Sequence, residues 1–204
     1  QIVVDTGSTD RTAELAKKMG AKAFYFPWQD DFSAAKNFAI SKASGDWIAF
    51  LDADEYFPPE ETKKVMPLLE RYDKGGYYAV MTSWLQVRGD ESIFAGGTQA
   101  RLFKRIEGLI YRNRIHEELS FHGMGITPYM ADATELLSIY HTGYAGSEAQ
   151  NEKRGERNIR LLLMELKDHP DDYHLMCYLG DSHLTARKPK EAKKWYYKAI
   201  ERMP

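Results

Sequence analysis

Three short apolar runs separated by helix-forming segments constrain this chain more than any other feature of its sequence. Ile2, Val3 and Val4 form the first, and Asp5-Thr6-Gly7-Ser8 supplies a tight turn with a helix cap expected at Ser8 or Thr9. With Asp10 in its first turn, a helix continues through Ala13, Leu15, Ala16 and Met19 until Gly20 ends it, and Ala23, Phe24, Tyr25 and Phe26 make the second run. A further helix, capped by Asp30 or Asp31, repeats Phe32, Ala35, Ala39, Ile40 and Ala43 at helical spacing up to Gly45. It delivers the third run, Trp47 to Leu51. Strands alternating with helices of this length require right-handed crossovers and a largely parallel sheet, whose ligands gather beyond the carboxyl ends of the strands. Asp5 and Asp52 both belong to that edge.

Directly after the third run, Asp52-Ala53-Asp54 sets two carboxylates one residue apart at a strand end. Such a pair can hold a hard divalent cation against a diphosphate. Taken alone Asp-x-Asp discriminates poorly, because many solvated loops carry two acids.

Further along, Pro58-Pro59-Glu60 opens a helix to about Tyr72, in which Pro67 predicts a kink or early break before Gly75-Gly76 turns the chain. Residues 77–84 read as a strand, and residues 94–103, interrupted by Gly96-Gly97, as shorter hairpin-type strands, so the sheet becomes mixed. Near Tyr144 the composition shifts to helix formers, and Ser147-x-x-Gln150 has capping-box spacing, which sets a boundary between units at 1–145 and 146–204. Pro170 and Pro204 stand 34 residues apart, the tetratricopeptide period, with Leu179-Gly180, Ala192, Tyr196 and Ala199 at that repeat's small and aromatic positions. One repeat cannot bury its own face, so further helices or the first unit must cover it.

The balance of 28 Lys+Arg against 30 Asp+Glu gives no footing for nucleic acid. The single cysteine, Cys177, excludes an intramolecular disulfide and any Cys-based metal site, consistent with a reducing, cytoplasmic setting. No apolar run is long enough to span a bilayer. The chain opens directly on a strand, and the expectation is that it starts inside a domain and is cut at its carboxyl end as well.

Three segments, VVDTGSTDRT at 3–12, FSAAKNFAISKASGDWIAFLDADE at 32–55 and RIHEEL at 114–119 with the preceding RLFKR at 101–105, resemble the family-2 glycosyltransferases of GT-A fold. With the helical segment, the chain is similar to bacterial members that carry tetratricopeptide repeats, a group that includes enzymes acting on peptide side chains. The resemblance implies an α/β GT-A domain, with a mixed, mostly parallel sheet flanked by helices, followed by a helical tetratricopeptide-like hairpin. It implies an inverting transfer from a nucleotide-diphosphate sugar, UDP-linked in first place, to a hydroxyl or thiol of a glycan, lipid or peptide. Asp5 then lies beside the base and Ser8 in the same nucleotide loop, although Thr6 departs from the commoner second aspartate. Lys36, where Arg is more usual, faces a phosphate as a point charge. Asp52 contacts ribose or metal, and Asp54 with the late His141 completes a Mg²⁺ or Mn²⁺ site.

The catalytic base is expected from Glu117, with Glu118 in reserve, since adjacent residues in a strand face opposite ways and only one can reach the site. Arg101 and Arg112 are expected to be solvated. Two other functions compete: a nucleotidyltransferase, disfavoured because Asp5 and Asp10 make the first loop acidic where a triphosphate needs a basic one, and a non-catalytic module whose repeat segment recruits a protein partner. Members of the family begin with an additional strand, so the edge of residues 2–4 is expected to invite strand-paired dimerisation.

Overall fold

The computed structural model describes residues 1–143 and 148–204. The first parallel unit forms as the apolar pattern dictates: β1 (Ile2–Asp5), α1 (Thr12–Lys18) and β2 (Lys22–Tyr25), with β1 and β2 paired in parallel. Asp10 precedes the helix rather than lying in it. Its carboxylate accepts the Thr12 N–H at 2.9 Å, whereas Ser8 turns its own N–H toward Asp5 at 2.9 Å, so neither Ser8 nor Thr9 is the cap.

α2 (Phe32–Lys42) starts at Asp31, whose side chain accepts the Ala34 N–H at 2.8 Å, and leads to β3 (Trp47–Ala49) and β4 (Glu55–Tyr56). α3 (Pro59–Lys74) follows, then β5 (Ala79–Val87) and β6 (Ile93–Lys104). Three short antiparallel strands come next, β7 (Leu109–Arg112), β8 (Glu118–Phe121) and β9 (Met124–Gly125), then β10 (Met130–Asp132) and β11 (Ser138–His141). The main sheet has the order β3-β6-β5-β11-β4, with β10 also on β5. β5 runs parallel to β10 and β11, while β6 is antiparallel to both β3 and β5, so the sheet is mixed as anticipated.

Two elements differ from the sequence reading. α3 runs unbroken through Pro67, which sits on the exposed side where the lost backbone bond is hydrated, while Leu69 and Tyr72 anchor the helix to the core. β6 is one twelve-residue strand and not two short ones, because Gly96 and Gly97 pair in register with Leu85 and Trp84 of β5.

Alternation along β6 builds the core. Leu102 faces Leu69, Tyr72, Val80 and Leu137 beneath α3, and its neighbour Phe103 faces Leu109, Tyr111 and Leu119 beneath the three-stranded sheet. Each such fully buried side chain contributes roughly 1.5–3 kcal/mol. Among the described residues the β1–β2 pair shares no ladder with β3; a cavity of about 720 Å³ lies between them, lined by Ile2, Val4, Ile40, Ile48, Phe50 and Asp52 among others. Hydrophobic pattern selects which segments extend but not which edges meet.

α4 (Glu148–Asp168), α5 (Tyr173–Thr185) and α6 (Pro189–Arg202) complete the chain. The expected boundary at 145/146 and the Ser147 capping box lie outside the described residues. The repeat pattern has a direct steric cause. A Cβ at Gly180 would fall 2.2 Å from Tyr196 Cε1, so α5 and α6 approach this closely only with glycine there; Ala192 and Ala199 are buried in the same way, and the Tyr196 hydroxyl donates to Asp181 at 2.6 Å.

Candidate active site

α2 presents Ser33, Lys36 and Asn37 on one face, as their i, i+3, i+4 spacing requires. The Asn37 amide donates to the Tyr111 carbonyl at 2.9 Å and its oxygen accepts the Tyr111 N–H at 2.8 Å, so a side chain clasps β7. Ser33 Oγ donates to the Asn113 carbonyl at 2.6 Å. Between these clasps Lys36, with only 7% of its side chain exposed, brings Nζ within 2.5 Å of Glu117 Oε1 and 3.3 Å of Asp52 Oδ1. Lys36, Asp52 and Glu117, far apart in sequence, thus meet at one ammonium group.

Asp52 is shared with a second cation. Arg101 donates from one nitrogen to Asp52 Oδ2 at 2.7 Å and to Glu55 Oε1 at 2.5 Å, and Glu55 also accepts the Trp84 indole N–H at 2.7 Å. Burial opposes ionisation of Asp52, but Lys36 and Arg101 override it and hold the carboxyl below its usual value. The same two acids push the Arg101 pKa up against burial. Arg101 is therefore not the solvated residue the sequence suggested. Its position between Ala100 and Leu102 was the available signal: a charged residue inside an apolar strand is buried only with partners. Glu55, next to the acidic pair, was likewise missed. Arg112 does stay exposed, donating to the Gly123 carbonyl at 3.2 Å.

Asp54 turns away from Asp52 and meets His141, with Oδ2 3.2 Å from Nε2. The end of β11 is folded onto this pair: Thr142 donates its N–H and its hydroxyl to the Asp54 carbonyl at 2.9 and 3.1 Å. A Cβ at Gly143 would lie 1.9 Å from Asp54 Oδ2 and 2.9 Å from His141 Nε2, so only glycine leaves these donors their space. Carboxylate oxygen and imidazole nitrogen are a donor set that would suit a Mn²⁺ or Mg²⁺ ion taking its other ligands from substrate and water. Among the described residues no three His, Cys, Asp or Glu side chains are gathered as a complete cage, and Asp52 is directed to its cations.

Asp5 ends β1 with its carboxylate accepting from the Gly7 and Ser8 N–H groups at 3.3 and 2.9 Å; the Ser8 side chain first, then the Ser8 and Gly7 N–H groups, hold its pKa down. Val4 and Thr6 on either side line the cavity that also reaches Asp52 and Lys36. Of the two candidate bases, Glu117 turns inward to Lys36, whereas Glu118 begins β8 and is exposed.

The helical segment contributes to the same region. His116, at a left-handed φ of 52°, stacks on Tyr178 of α5 with ring centres 3.8 Å apart, and Ile115 is buried with Leu161, Leu162, Leu175 and Leu179. Desolvation lowers the His116 pKa against the pull of Glu117 and Asp181. The sequence carried no signal that Tyr178 would reach the loop of Glu117.

Comparison with known proteins identifies the family. The profile of Glycosyl transferase family 2 matches residues 1–135, and the chain belongs to that family. It is 30% identical over 204 residues to a TPR repeat-containing protein of Synechococcus elongatus, covering 98% of this chain and 49% of that protein. It is 25% identical over 201 residues to the SPbeta prophage-derived glycosyltransferase SunS of Bacillus subtilis, covering 98% and 46%. The chain thus spans about half the length of these curated relatives. In fold it is similar to the crystal structure of S. aureus TarS, with a TM-score of 0.51 at 12% identity over 100% of this chain and 43% of that one. No described helix is long and apolar enough to cross a membrane.

Proposed function

We propose that this family-2 glycosyltransferase moves a sugar, with inversion, from a nucleotide-diphosphate sugar, UDP-linked in first place, to an acceptor hydroxyl or thiol. The observation that carries the reading is the convergence of Glu117 and Asp52 on Lys36, with Lys36 and Asp52 lining the cavity between β1 and β3. A base in such a transfer must stand on the face opposite the leaving group. Glu117 takes that role: as the acceptor oxygen or sulfur bonds to the anomeric carbon, its proton passes to Glu117, and the bond to the diphosphate breaks with its electron pair leaving on the diphosphate. Lys36 orients the Glu117 carboxylate and keeps it beside the Asp52 loop. Asp52, fixed by two cations, offers acceptor oxygens to ribose, and the Asp5 turn borders the base.

A Mg²⁺ or Mn²⁺ ion held by Asp54 and His141 would neutralise the departing diphosphate, so no proton need be delivered to it. The test is a thermal-shift screen of nucleoside diphosphates with either cation, followed by turnover of the stabilising nucleotide sugar. Stabilisation that needs the cation and turnover lost in Asp54→Ala and Glu117→Gln are the expected results. Full turnover in Asp54→Ala sinks the metal assignment, and absence of any nucleotide-induced stabilisation favours a binding module instead.

A further inference from the structure

The loop of residues 113–117 is held from two sides. On one, α2 takes the Arg114 carbonyl through the Phe32 N–H at 2.8 Å and the Asn113 carbonyl through Ser33 Oγ. On the other lies α4, outside the residues matched by the family profile. Its Glu165, with 9% of the side chain exposed, accepts the Arg114 N–H at 3.1 Å, with the Arg114 Nε 3.9 Å from the same oxygen. His169 Nε2 stands 3.9 Å from the other oxygen. A carboxylate is costly to bury, and an apolar residue at this point of the α4 stripe, among Leu161, Leu162 and Leu166, would satisfy packing alone. What an apolar residue cannot do is accept the Arg114 N–H. Asn113 and His116 both adopt left-handed φ values, 71° and 52°, a conformation that non-glycine residues hold only when their surroundings fix it.

We propose that Glu165 is a positioning residue for transfer: its hydrogen bond to the Arg114 backbone fixes the strained loop that presents Glu117, which makes the helical segment a working part of the active site. The proposal rests on Glu117 being the base. Arg160, earlier on α4, pairs with Asp30, and Trp28 donates to that aspartate at 2.7 Å, so α4 also braces the start of α2 that carries Lys36.

Glu165→Gln keeps an acceptor oxygen at full reach without the charge, and Glu165→Asp keeps the charge but falls short of Arg114 by one methylene. In the full chain, Glu165→Asp is expected to lower kcat for transfer by about tenfold or more with donor KM within about twofold, since an ångström of misplacement is enough for such a loss. Glu165→Gln is expected to stay within about threefold of the parent. Amide hydrogen exchange read on residues 113–118 should quicken in Glu165→Asp and not in Glu165→Gln, with α2 and α5 protected in both. The opposite ranking, or parental exchange and kcat in Glu165→Asp, overturns the proposal. Exchange needs no substrate, so if the parent chain turns over no nucleotide sugar that arm alone decides whether Glu165 fixes the loop, while the base assignment fails separately.

Discussion

At the scale of single residues, the decisive feature is how few cations hold how many acids. Arg101 serves Asp52 and the Glu55 carboxylate, of which 1% is exposed, so it is the counter-ion of a nearly dry group. Removing it leaves Glu55 with two neutral donors, the Trp84 indole N–H and the Asp52 backbone N–H, and no counter-ion. Arg101→Met should therefore cost about 3–5 kcal/mol of unfolding free energy, the usual loss when one partner of a buried pair is deleted. Urea unfolding of the two chains measures it, and a loss near that of a surface ion pair, below about 1 kcal/mol, contradicts the assignment. Lys36 obeys the same logic on the other flank of Asp52. The sequence placed it on a helix face and, by resemblance, beside a phosphate; its partners Glu117 and Asp52 come from other elements and were not legible.

At the scale of elements, glycine and proline mean different things according to what faces them. Pro67 breaks nothing because its side of α3 is wet, and Gly96 interrupts nothing because Leu85 packs over it with a Cδ2 3.3 Å from where a Cβ would stand. Gly180 is the reverse case, a position read correctly from the repeat pattern whose reason is the Tyr196 ring. Gly180→Ala is expected to destabilise the helical hairpin by about 1–3 kcal/mol, the range for overpacking a close-packed site. Adding Tyr196→Leu should recover part of that loss, because the smaller side chain vacates the space. Calorimetry of the single and double variants checks this, and strictly additive losses would show that the ring is not the obstacle.

At the scale of the whole molecule, the seam between the α/β and helical units carries a titratable stack. His116 keeps exposed surface, but desolvation against the Tyr178 ring holds its imidazole below the ordinary 6.5, so between 6.5 and its folded value the unfolded chain binds a proton that the folded chain does not. The stability contributed by neutral His116 is complete above 6.5 and is lost as the pH falls from there toward the folded value. Melting temperature from pH 7.5 down to 5.5 should drop more steeply for the parent than for His116→Phe, which keeps a ring on Tyr178 without the titration. Parallel slopes would remove His116 from the account. By itself the sequence determined the local and periodic features: strand, turn and helix at residues 2–18, a cap at Asp30 or Asp31, the acidic pair after the third apolar run, and the small-residue pattern of α5 and α6; Glu117 came from the family resemblance instead. Each follows from neighbours within a turn or two of chain, where spacing and side-chain type suffice. The tertiary structure alone decided that Arg101 is buried, that Asp52 pairs with Lys36 and Arg101 and not with the Asp54–His141 pair, that β1–β2 stands apart from β3, and that α4 and α5 grip the loop of Glu117. These depend on which surfaces meet across long separations, and the cost of a buried charge is set by partners that no local pattern names.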